Sequence, residues 1–194
     1  MKITLIITLF LSQVSLSQIP DSIKKKAIDF QTRAWKAEEE RQFERCIVLA
    51  DSSITLDSTR SEPYVIKAES LWFLKRYKES AETYKKYISV DTNILRIGAY
   101  VLLGMLYDKA DMFDEAKEQY LTAIRTYENG YRPLRQFVEI EEFEYVLAFG
   151  LAGSDKWKEK LGDVINKHPN AGFKNLANMT RKELLEHHFK QYGG

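Results

Sequence analysis

The side chains of this chain that could do chemistry are few and poorly gathered. There are three histidines. His187 and His188 are neighbours, so on a helix they point about 100° apart and cannot share a metal ion. Glu183 and His187 stand at i, i+4 and offer a pair of ligands. Zinc takes at least three protein ligands, and only the distant His168 could add another histidine. No metal site is expected, and these residues read as a solvated polar face. The run EIEEFE from Glu139 to Glu144 holds carboxylates of the kind that glycosidases pair across a sugar. No sugar-binding aromatic cleft accompanies them in the sequence, so the run reads as the solvated face of a surface helix. Lys24–Lys26 likewise reads as the outer face of a first helix. The single cysteine, Cys46, cannot form an internal disulfide. A Gly-rich phosphate loop, a Gly-x-Ser-x-Gly elbow and a supported Cys/His dyad are all missing from the sequence. No catalytic residue, cofactor or metal is expected, and the chain reads as a non-enzyme.

Composition narrows the class further. The 194 residues carry 29 basic and 28 acidic side chains. The opening MKITLIITLFLSQVSLSQ places Lys2 ahead of an apolar run from Ile3 to Leu11, then small residues before Gln18. That order is expected of a cleaved secretory signal over residues 1–17. The apolar run is about half of the ~20 residues a membrane span needs, and no cysteine follows it to carry a lipid anchor. Cleavage after Ser17 would leave 177 residues and remove Lys2, so 28 bases would face 28 acids. A formally neutral chain has no general electrostatic pull on nucleic acid or anionic lipid. The expectation is one soluble domain outside the cytoplasm, periplasmic or secreted, with no integral membrane span after cleavage and no nucleic-acid partner.

The elements that must position any functional side chain are helices paired about small residues. Tyr100, Leu103, Gly104 and Tyr107 fall at i, i+3, i+4 and i+7, one face of a helix. Past a break at Asp111–Met112, Phe113, Ala116, Tyr120 and Ala123 form a second stripe. Gly104, Ala116 and Ala123 let two antiparallel helices approach closely, and the aromatic rings fill the remaining space. The same alternation recurs upstream in Tyr64, Ala68 and Leu71 with Tyr77, Ser80, Tyr84 and Tyr87. It recurs again, less regularly, in Phe30, Ala34 and Ala37 with Phe43, Cys46, Ala50 and Ser53. Asp21 and Ser61 are placed to cap helices, and Pro63 lies in a first helical turn. Downstream, Ile140, Phe143, Leu147 and Leu151 form one stripe and Trp157, Leu161, Val164 and Ile165 another. Thr180 and Glu183 have the capping-box spacing, opening a last helix in which Leu185, His188, Phe189 and Tyr192 share a face.

This small–aromatic alternation resembles the tetratricopeptide repeat, here in a chain of exported bacterial type. Repeats would span about 27–58, 61–92 and 97–128, with a degenerate pair at 134–168. Their first positions, 27, 61 and 97, step by 34 and 36, against ~34 for the family. The longer step implies two extra residues around Asp91–Leu95. Cys46 falls where the repeat wants a small buried residue. The resemblance implies an all-α, right-handed solenoid of antiparallel helix pairs over 18–170, closed by a C-terminal capping helix within 171–194. Solenoids need such a terminal element to cover their last apolar surface.

In this family the first helix of each repeat lines a concave groove. The resemblance places there Ile28, Gln31, Trp35, Glu38 and Glu39, then Glu62, Val65, Glu69, Trp72 and Phe73, then Gly98, Val101, Met105, Asp108 and Lys109. Large exposed apolar side chains mark interaction surfaces, and Trp is a favoured anchor. The expected partner-binding residues are Trp35, Glu38, Glu39, Val65, Glu69, Trp72, Phe73, Val101, Met105 and Asp108, the acids favouring a partner with positive charge. Trp35, Trp72 and Phe73 are equally compatible with packing, the latter two against the next repeat or beneath the C-terminal helix. Relatives that clamp a peptide's terminal carboxylate use lysine, arginine and asparagine. Here the matching positions hold Gln31, Trp35, Ile66, Gly98 and Leu102, so that clamp is absent.

The function expected is a non-enzymatic scaffold or adaptor holding a peptide or partner domain in the concave groove. The alternative is a structural subunit of an envelope assembly or homo-oligomer that works through its convex or C-terminal surface.

Overall fold

The computed structural model describes residues 19–91, 96–131, 135–169 and 172–191. The expected signal segment, the two extra residues before Arg96 and Tyr192 lie outside them. Nine α-helices follow one another among the described residues: α1 (Asp21–Glu39), α2 (Phe43–Leu56), α3 (Glu62–Phe73), α4 (Tyr77–Val90), α5 (Arg96–Lys109), α6 (Phe113–Glu128), α7 (Val138–Leu151), α8 (Trp157–Lys167) and α9 (Arg181–Gln191). The chain is an all-α solenoid of antiparallel pairs, α1–α2, α3–α4, α5–α6 and α7–α8, ended by α9.

The turn inside each pair is the same object. Arg41, Lys75, Asp111 and Gly153 all take positive φ (57°, 59°, 58° and 72°). In each case the following amide donates back five residues: Gln42 to Ala37, Arg76 to Leu71, Met112 to Tyr107 and Ser154 to Phe149, at 2.8–2.9 Å. This left-handed stop with a six-to-one hydrogen bond satisfies carbonyls that a helix end leaves orphaned. The four turns fall 34, 36 and 42 residues apart. The fourth therefore carries the repeat's stop signal even where the helical stripes have drifted, and it alone uses glycine for it.

Small residues set the spacing within pairs. A Cβ added to Gly104 would lie 2.4 Å from Cε1 of Tyr120, so the ring of α6 rests directly on the backbone of α5. Tyr120, Ala116 and Ala123 are fully buried. Buried hydroxyls fix register elsewhere. Ser53 Oγ donates to the Ala27 carbonyl at 2.8 Å and Ser80 Oγ to that of Ala68 at 2.7 Å. Cys46 is buried and accepts a hydrogen bond from Ser70 Oγ at 2.9 Å. Thr180 and Glu183 form the capping box, with both the backbone amide and hydroxyl of Thr180 donating to the Glu183 carboxylate. Asp21 and Ser61 do not cap: no side-chain hydrogen bond is made at the start of α1 or α3.

Two packed cores result. A small one joins α1, α2 and the start of α3 through Ala34, Ala37, Cys46, Leu49, Ala50 and Ile66. A much larger one runs from Ala68 to Phe189. Helix α5 lies at its centre, and every residue from Val101 to Asp108 is buried.

Candidate functional site

The concave face is formed by the first helices of the pairs, and the structure divides it in two. Its distal half is covered by the chain's own C-terminal helix. Leu184, Leu185 and Phe189 of α9 are buried there. Phe189 meets Trp72 with ring centroids 4.4 Å apart and Tyr77 edge-on at 5.9 Å. Polar contacts latch this helix in place. Arg181 Nη2 donates to both carboxylate oxygens of Asp108 at 2.8 and 2.7 Å, and its Nε donates to the Leu151 carbonyl at 2.6 Å. Asp108 also accepts the Tyr120 hydroxyl at 2.6 Å. Lys109 reaches Glu186 at 2.6 Å and lies over the Phe189 ring.

This arrangement corrects the groove expected from sequence. Val101, Met105 and Asp108 are buried, so no partner on the surface touches them. The reason is that α9, beyond the expected neighbour α7, packs on α5 and latches to Asp108. Trp72 is half-buried against Phe189 and belongs to the seat of α9. The face that stays open lies on α1 and α3. Trp35 is 58% exposed and Ile28 44%; Phe73 is 41% exposed while stacked on Phe43 at 4.8 Å. Glu39 is exposed, and Glu38 and Val65 are partly so.

Between the open and covered halves is a cleft of about 370 Å³. Val65 and Glu69 of α3 and Tyr84 and Tyr87 of α4 form one wall; Gly98, Ala99 and Leu102 of α5 form the floor; Ile140, Glu141 and Glu144 of α7 form the other wall. The acids of α7 depart from expectation. Glu141, Glu142 and Glu144 are buried, and only Glu139 and Ile140 of the run are exposed. Helix α7 is packed by α5, α6, α8 and α9, which leaves only the first residues of the run open to solvent. Glu142 is well provided for. It accepts from the Tyr127 hydroxyl at 3.1 Å, Lys167 at 3.0 Å and His168 Nε2 at 2.9 Å. Glu144 is bonded to His188 Nε2 at 3.0 Å with both groups buried, so His188 is not on a solvated face either. Its neighbour His187 is exposed.

Glu141 is the odd member. One of its oxygens accepts the Ile97 amide at 3.1 Å. The other, Oε1, is buried without a hydrogen-bond partner among the described residues. Burial pushes its carboxyl up to about 7, against the pull of the Ile97 amide, and Glu144 adds to the rise. Further along the same face a second carboxyl pair forms. Burial and the facing Glu69 carboxylate raise Glu38 to about 7, and a hydrogen bond joins the two acids. Glu69 is exposed as a residue, yet the protein around its carboxyl raises it too. Glu38, Glu69 and Glu141 have no ion pair among the described residues. Most other buried or half-buried acids do, as Asp108 with Arg181 and Glu142 with Lys167 show.

With this geometry in view, the likeness to known proteins is specific. Residues 61–94 and 97–129 match the tetratricopeptide repeat family. The α3–α4 and α5–α6 pairs are these two tetratricopeptide repeats. Among curated proteins none matches the sequence. Solved structures share the fold at low identity. The crystal structure of YrrB, described as a TPR protein with an unusual peptide-binding site, superposes with TM-score 0.55 at 17% identity, covering 77% of this chain and 72% of that one. A crystal structure of MamA superposes at 0.54 with 18% identity over 89% of this chain and 96% of that one. The N-terminal domain of stress-induced protein-1 from C. elegans superposes at 0.50 with 18% identity, over 64% and 98%.

Proposed function

We propose that the protein is a protein–protein interaction scaffold, non-enzymatic, whose working surface is the open half of the concave face. The observation that carries this reading is the exposure of Trp35, Ile28 and Phe73 along α1 and α3, beside carboxylates that lack cations of their own. Large apolar side chains on one exposed face mark interaction sites, and a preformed helical array loses little entropy on binding. The repeats support a scaffold role, and the peptide-binding description of YrrB agrees in kind. Capture from envelope and secreted fractions tests it, with the wild type beside a Trp35→Ala/Phe73→Ala variant of unchanged helicity. A partner lost by the variant supports the open face; a partner held equally well moves binding elsewhere.

The self-filled distal groove favours a second reading, a structural subunit whose convex face works while α9 only closes the core. Val48 and Phe113 are exposed on the second helices, at 64% and 59%. Concentration-dependent sedimentation lost on Val48→Ser/Phe113→Ser would favour it. Export also belongs to the proposal. Its support is the charged, apolar and small-residue order of residues 1–17, and N-terminal sequencing of the protein from its native fraction tests cleavage after Ser17.

A further inference from the structure

We propose that the cleft between α3, α4, α5 and α7 is a receptor for a lysine side chain carried by the partner polypeptide, with the ammonium seated on Glu141. This deepens the scaffold reading and rests on it for the partner.

The site is built rather than incidental. Glu141 is wholly buried, lines the cleft and leaves Oε1 without a partner among the described residues. A carboxylate oxygen buried in that state is costly unless something supplies a hydrogen bond and a positive charge. Glu144 lines the same wall, and Glu69 stands across the mouth on α3. These three acids line a space of about 370 Å³, within the ~300–1,000 Å³ typical of ligand sites.

The walls select the kind of cation. Val65, Leu102 and Ile140 are aliphatic, and Tyr84 and Tyr87 present rings 5.3 Å apart. A lysine buries its methylene stem on such walls while its head reaches a polar end, and aromatic faces favour a cation nearby. Arginine fits less well. Its planar fork is matched by two oxygens of one carboxylate, whereas one oxygen of Glu141 is held by the Ile97 amide and one of Glu144 by His188. An ammonium needs only a single open oxygen and carries three rotatable donors. A metal ion is disfavoured on its own terms, since no group of three metal-ligating side chains occurs among the described residues.

The test uses the full chain and the pentapeptide acetyl-Gly-Gly-Lys-Gly-Gly-amide, titrated while the backbone amides of Gly98, Ala99 and Leu102 are followed by NMR. Saturating shifts are expected at these amides. Replacing lysine by norleucine or by Nε-acetyl-lysine should weaken binding at least about tenfold, because a buried carboxylate is then left without its cation. Those arms use the wild-type protein, so they stand even if a variant folds poorly. Glu141→Gln, which keeps an oxygen for the Ile97 amide, should weaken the lysyl peptide to a similar extent. Equal binding of lysyl and norleucyl peptides would overturn the ammonium site, as would no response to the lysyl peptide. Butylammonium should bind the same amides more weakly. If it binds as tightly as the peptide, the cleft takes free amines and the assignment to a partner's lysine falls. Failure of the cleft is separable from failure of the scaffold. A partner still lost by Trp35→Ala/Phe73→Ala, with no lysyl peptide bound, would leave the scaffold reading intact.

Discussion

Asp108 lies under the covered half of the concave face and Glu141 in the cleft at its edge, and both are carboxylates removed from water. Asp108 receives Arg181 from α9 and the Tyr120 hydroxyl from α6. Glu141 receives one backbone amide and has an oxygen left over. The covered half is thus complete within the chain, while the cleft beside it has a buried carboxylate oxygen left unpaired among the described residues. The difference shows how one array can use equivalent surfaces for opposite ends. Where its own helix supplies the cation the groove is structure, and where nothing supplies it the groove is free to take one from outside.

Breaking the latch should have the largest effect. Arg181→Ala strands a buried carboxylate, which costs about 3 kcal/mol. Urea unfolding should read that loss, and amide exchange in α9 should rise before that in α5. Next comes Gly104→Ala. The added methyl drives into the buried Tyr120 ring, and overpacking of this kind costs roughly 1–3 kcal/mol, displacing the hydroxyl that helps hold Asp108. Loss of the ordered tyrosine signal in near-ultraviolet circular dichroism would report it.

Glu141→Gln sharpens the contrast with the opposite sign. The Glu141 carboxyl titrates near 7 in the folded protein against an ordinary value of 4.5. Its protonated form therefore favours the folded state. That contribution is fully present below about 4.5 and is lost as the pH climbs through 7. The glutamine variant should match the wild type at pH 4 and exceed it at pH 8 by about 1–3 kcal/mol, the upper end following from ~1.4 kcal/mol per pH unit. Chemical unfolding at the two pH values decides it, and a variant less stable at pH 8 would mean that Glu141 is already neutralised. The smallest change is Lys75→Gly. A non-glycine residue held at φ 59° gives up about 0.5–1 kcal/mol that glycine recovers, so the melting temperature should rise slightly with the concave face unaltered.

The repeats were legible because their signal is local. The spacing of Gly104, Ala116, Tyr120 and Ala123 encodes the contact between α5 and α6 within some twenty residues. The capping box at Thr180 and the burial of Cys46 were readable for the same reason. What stayed hidden depends on contacts far along the chain. Nothing near Asp108 announces Arg181, 73 residues away. The resemblance put Val101 and Met105 on the groove side of α5, and neither it nor helical periodicity can say that another helix packs there. The acids of α7 misled because a charge run ordinarily implies water. The apolar residues among and after them, Phe143, Val146 and Leu147, were the signal that this part of α7 is packed.

A linear array whose units touch only their neighbours can unzip from either end, one unit at a time. Helix α9 changes that. By touching Trp72 and Tyr77 as well as α5 and α7, it ties the second repeat to the last and turns an open string into a clasped loop. The larger core is then gained or lost as one cooperative block, with α1, α2 and the start of α3 as a separate, lighter foldon that opens first. The clasp also raises the mean sequence separation of contacts, which slows folding relative to an unclasped array of the same helices.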